Sequence, residues 1–72
     1  MSALALVPAP TDWSEHYREA IIRHTAWSRE CDADMRGHIA ADSYGAADIA
    51  RQSRDHAAVD AVVALLRWAR ST

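Results

Sequence analysis

The chain has 72 residues, a mass of 8.0 kDa and a formal net charge of −2, set by 10 acids against 8 arginines. Sixteen residues are alanine, Phe, Lys and Asn are absent, and Gly and Pro occur only twice each. These counts exclude collagen-like, Gly/Pro-rich and disulfide-rich chains, and they supply no global drive toward nucleic acid or anionic membrane. Alanine is the best helix former and a poor filler of a core, so the composition predicts an all-α chain short of bulk.

Residues 1–10 (MSALALVPAP) read as an extended N-terminal arm, because Pro8 and Pro10 hold their predecessors out of the helical region. The arm carries Leu4, Leu6 and Val7 but no basic residue, and its prolines interrupt the apolar stretch. It therefore lacks the pattern of a secretory signal, and no window reaches the roughly 18 apolar residues of a membrane span. Cys31 is the only cysteine, so no internal disulfide can form. Together these features predict a cytoplasmic protein without a membrane segment.

The first helix is expected over about residues 12–41. Asp12 and Glu15 have capping-box spacing, and both acids suit the positive end of the helix dipole. Trp13, Tyr17, Ala20/Ile21, His24, Trp27, Cys31, Met35 and Ile39 then recur in steps of three and four. That is one helical stripe, with Trp27 in its middle as a core residue. Glu19 with Arg23, and Asp32 with Arg36, are i,i+4 pairs in the favourable order. Gly37 either ends this helix or lies within it at a cost of about 1 kcal/mol.

Asp42-Ser43-Tyr44-Gly45 combines cap-forming residues with a glycine and reads as the break. A second helix is expected over about residues 46–70, with the stripe Ile49, Ser53, His56, Val59/Val62, Val63, Leu66 and Ala69/Arg70. Two helices of similar length joined by a short turn form an antiparallel hairpin. The second helix is apolar around most of its circumference beyond Ala57, which is more than one seam can bury. A chain this small struggles to bury a core alone. Pairing of two hairpins into a dimeric four-helix bundle follows, with itself or another helical protein as the partner. Ile22, Val62, Leu65, Leu66 and Trp68 are the expected interface. Trp13 and Trp68 fall at the open end of the hairpin and are expected to cap it.

Candidate chemistry is sparse. His24, Cys31 and His38 are spaced by seven, and a turn centred near Ser43 and Tyr44 places His56 beside Cys31. Cys31, Asp34 and His56 are thus an alternative metal set, since thiolate, carboxylate and imidazole suit zinc. No repeated ligand signature accompanies them, and no cofactor is expected. As a nucleophile Cys31 is disfavoured by Glu30, Asp32 and Asp34, because negative neighbours raise a thiol pKa. No phosphate loop or hydrolase motif is present, so an enzyme is not expected.

Residues 46–63 (AADIARQSRDHAAVDAVV) resemble a helix-turn-helix, with an Ile-Ala pair followed by an Ala-Val pair. That resemblance implies a DNA-binding regulator using Arg36, Arg51 and Arg54. The sequence departs from the pattern, lacking a glycine in the turn, which would fall at Ser53 to His56. The reading best supported by the residues is a non-enzymatic helical interaction or oligomerisation module.

Overall fold

A computed structural model of the chain describes residues 13–71, which form an antiparallel pair of α-helices. Helix α1 spans Trp13–Ala40 and helix α2 spans Tyr44–Ser71, 28 residues each and so about 42 Å long. The expected arm and Asp12 of the expected capping box lie outside the described residues. Glu15 does stand in the first turn of α1, where its carboxylate pairs with Arg18 at 3.2 Å.

The turn is tighter than expected. The amide of Ser43 donates to the His38 carbonyl at 2.8 Å, and that of Asp42 donates to Ile39 at 3.0 Å. These two bonds make a Schellman motif, which satisfies carbonyls that the end of α1 would otherwise leave open. Its left-handed position is taken by Asp42, at φ 58°, rather than by a glycine. Aspartate is among the few residues that visit this region without a large penalty. Ser43 then caps α2, its carbonyl accepting the first helical bond from Ala47 at 2.9 Å. Gly37 and Gly45 both lie inside helices, so neither is the breaker.

Shortening the turn changes the register. Ser28 Oγ donates to the Arg54 carbonyl at 3.1 Å, and Arg54 Nη1 donates to Asp32 Oδ1 at 2.9 Å. Level positions on the two helices therefore have residue numbers adding to about 84, not the 87 that a turn at Ser43 and Tyr44 implies. Cys31 consequently lies level with Ser53, and His24 with Asp60.

The seam of α1 runs Tyr17, Ile21, His24, Ser28, Cys31, Met35 and His38, all buried or half-buried. The expected stripe is thus correct at Tyr17, Ala20/Ile21, His24, Cys31 and Met35. It is wrong at Trp27, which is 56% exposed and sits on the flank of the seam, and at Trp13 and Ile39, also exposed.

Helix α2 differs more. Its seam runs Ala47, Ala50, Arg54, Ala57, Ala61, Ala64 and Trp68, again in steps of three and four. The buried residues of the hairpin are Ala20, Cys31, Ala47, Ala50, Ala57 and Ala64, with no large side chain fully enclosed. Of the expected α2 stripe Ser53 does face α1, but the aliphatic members point outward: Ile49 is 68% exposed and Val59 61%. The physical reason is complementarity of size. The α1 seam carries Tyr17, Ile21, His24, Met35 and His38, and the five alanines of the α2 seam let the backbones approach so that this bulk is accommodated.

Candidate functional site

Three groups of residues bear on function. The metal set does not assemble. Cys31 is a buried free thiol at the base of a shallow groove of about 240 Å³, with Trp27, Asp34, His38, Ile49 and Ser53 around it. His56 lines a separate hollow with Arg51, Gln52, Asp55 and Val59, because the shorter turn moved it away from Cys31. Among the described residues no three His, Cys, Asp or Glu side chains gather as ligands. A buried cysteine in this position packs as a small hydrophobe.

The arginines form a neutralised network. Arg51 donates through Nε and Nη2 to Asp48 Oδ1 at 3.1 and 2.8 Å, and through Nη1 to Asp55 Oδ2 at 3.4 Å. Arg54 bridges the helices, reaching Asp32 at 2.9 Å across the seam and Asp55 at 3.0 Å on its own helix. Arg54 Nη1 also contacts Met35 Sδ at 3.4 Å, and Arg36 Nε closes on the second Asp32 oxygen at 3.0 Å.

Three guanidiniums are thus matched by three carboxylates. The Arg51 hydrogen bond, with help from Gln52, holds the Asp48 carboxyl below its ordinary value. Asp48 in turn raises Arg51, while Asp32 and then Asp55 raise Arg54. Such a patch presents fixed shape and little net positive charge, which is the opposite of a phosphate-binding surface. Helix α2 also runs without interruption through Ser53 to His56, so the turn of a helix-turn-helix is absent there. Of the two i,i+4 pairs read from the sequence, Asp32–Arg36 forms, whereas Glu19–Arg23 does not close among the described residues; Arg51–Asp55 is a further i,i+4 pair.

The apolar surplus is the third group. Ile22 lies two heptads before Arg36, and Val62 lies one heptad after Asp55, so both share the side that carries the ion network. Leu65, two heptads after Arg51, stands on the same side, and the register sets Ile22 level with Val62. The structure therefore gathers Ile22, Val62 and Leu65 into one exposed patch. Leu66 and Val59 are exposed on the side of α2 turned away from α1.

Trp68 departs from the expected interface. It is half-buried and continues the alanine seam, so it faces α1. At the open end Trp13 stacks on Tyr17, with centroids 6.0 Å apart, and meets His16 edge-on at 5.5 Å. Trp13 also shares a surface hollow with Arg67, Arg70 and Ser71, while the Ser71 hydroxyl donates to the Trp68 carbonyl at 2.8 Å.

The two helices differ on their outer sides. α1 exposes Glu19, Arg23, Arg29, Glu30 and Arg36 there, whereas α2 exposes Val59, Val62, Val63, Leu65 and Leu66. Two charged residues interrupt the apolar half of α2: Asp60 and Arg67, one heptad apart on the edge that borders Val63. Neither carries an ion pair among the described residues. Sequence reasoning passed over this pair and over the alanine seam, although Ala47, Ala50, Ala57, Ala61 and Ala64 already had heptad spacing.

No described helix is long and apolar enough to cross a membrane. Comparison of the chain with protein-family models, with curated proteins and with solved structures found no match to any of them.

Proposed function

We propose that the chain is a non-enzymatic helical association module, a hairpin that is completed by packing against another helical surface, in the first instance its own. One observation carries this reading: the hairpin buries alanines and a cysteine while Ile22, Val59, Val62, Leu65 and Leu66 stand 47–61% exposed. A contiguous apolar surface of this kind marks an interaction site on a small protein. Covering it removes apolar area from water at about 25 cal/mol per Å², the largest favourable term open to so thin a core. The paired state of Arg36, Arg51 and Arg54 supports association over nucleic-acid binding, because those arginines are already engaged with carboxylates.

Sedimentation velocity over a range of concentrations tests the proposal. A mass that rises to at least twice that of the chain is the expected result, with a melting temperature that climbs with concentration. A compact monomer at about 100 µM, roughly a hundredfold above a micromolar dissociation constant, would refute it.

A further inference from the structure

Resting on that reading, we infer that the surface of α2 around Val63 binds a second copy of this chain antiparallel, α2 against α2, with Asp60 facing the partner's Arg67. Helix α2 is the inner helix of such a pair because the outward side of its C-terminal half, Val59 to Leu66, is the longest exposed aliphatic run of the hairpin. Val59, Val63 and Leu66 follow one another in steps of four and three on the side turned from α1, which is the spacing of a helix-packing seam.

Charge sets the direction. Asp60 and Arg67 lie one heptad apart along the edge of that seam, and neither is neutralised within its own hairpin. A two-fold axis across α2 near Ala64 exchanges the two positions, so each Asp60 meets the partner's Arg67 and two ion pairs form. The same axis sets Val63 against the partner's Leu66, apolar on apolar. A parallel pairing would instead carry the two edges to opposite sides of the dimer, so that Asp60 and Arg67 meet no partner of opposite sign from the other copy. The neighbouring groups are compatible with this geometry. Arg23 and His24 of α1 border the same hollow as Asp60 and Arg67, and neither closes an ion pair with Asp60.

The experiment is a charge-swap series on the full chain, read by sedimentation equilibrium, with circular dichroism confirming helix content in each variant. Asp60→Arg and Arg67→Asp are each expected to weaken the dimer at least about tenfold, because each creates like-charge contacts at the interface. The double variant Asp60→Arg/Arg67→Asp is expected to recover most of the wild-type affinity, since the opposed charges are again of opposite sign. Leu66→Arg, at a side chain that the hairpin leaves 53% exposed, is expected to abolish dimerisation while the hairpin stays helical.

A double variant as weak as the single ones would overturn the antiparallel pairing. So would a wild-type dimer that survives Leu66→Arg but is lost on Ile22→Arg or Leu65→Arg, which moves the contact to the other side and leaves association itself intact. A monomeric wild type defeats the association reading as well, so the two failures are distinct.

Discussion

Ala57→Leu separates an alanine seam from the aliphatic seam that hydrophobicity alone would choose. Ala57 is only 3% exposed and sits near the middle of α2, one turn from the Ser28 hydrogen bond and the Asp32–Arg54 bridge. A leucine there adds three carbons where the backbones approach across a methyl group. The helices must part, or the side chain must leave its rotamer, and overpacking of this kind costs about 1–3 kcal/mol. For a domain of this size that is a fall in melting temperature of about 4–8 °C for each kcal/mol. Ile49→Ala is the matching control: it deletes the bulk of a side chain that is 68% exposed and replaces it with a better helix former. Its expected effect on the hairpin lies within about 0.5 kcal/mol. Thermal unfolding followed at 222 nm measures both, at two protein concentrations so that association is separated from folding. Ala57→Leu as stable as wild type, with Ile49→Ala strongly destabilised, would show that the helices meet through the opposite face of α2.

Gly37→Ala is expected to stabilise by about 0.5–1 kcal/mol, since the position is helical and an added Cβ meets nothing within 4 Å. A lower urea midpoint would contradict it. Asp42→Gly relieves a left-handed L-residue at the cost of the exposed Tyr44 hydroxyl contact at 3.0 Å. A net gain of about 0.5–1 kcal/mol is expected, whereas Asp42→Val at the same φ should lose more than about 1 kcal/mol. Because Arg51 holds the Asp48 carboxyl below its ordinary value, that group contributes stability above the unfolded-state carboxylate range. The contribution disappears as pH falls through the depressed folded value. Asp48→Asn should therefore flatten the acid limb of a stability–pH curve, and an unchanged limb would exclude the linkage.

The gross fold was legible because helix-forming composition, two long periodic runs and one cluster of turn residues all pointed the same way. What failed was rotation and register. Both follow from the turn, and the turn rests on Asp42 adopting a left-handed conformation that sequence logic assigns first to glycine. A connection centred on Asp42, rather than between Ser43 and Tyr44, puts Ser53 instead of His56 level with Cys31. The candidate site suffered the same way: Arg36, Arg51 and Arg54 were readable as cations and Asp32–Arg36 as an i,i+4 pair, but the reach of Arg54 to Asp32 across the seam depends on that register. The apolar surplus was recognised from α2 alone, since Val59 to Leu66 cover more arc than any single neighbour can. Which of those residues share a side was not, because Ile22 and Val62 come level only at the observed register.

The alanine seam gives the surplus its direction. A helix offers about one stripe to one neighbour, and in α2 that stripe is spent on residues whose burial yields little. Tyr17, Ile21 and Met35 of α1 supply the bulk of the seam, whose α2 side is mostly alanine. Had the valines and leucines of α2 faced them, large would have met large and the axes would have separated, losing the Ser28 and Asp32 bonds that join the two helices near Arg54. The close fit therefore forces the larger side chains of α2 outward. A lone hairpin leaves them in water, while a second α2 laid across Val63 and Leu66 covers them without disturbing the seam. The small core and the exposed bulk are thus one feature: close packing inside the hairpin is what leaves the valines and leucines of α2 on its outer surface.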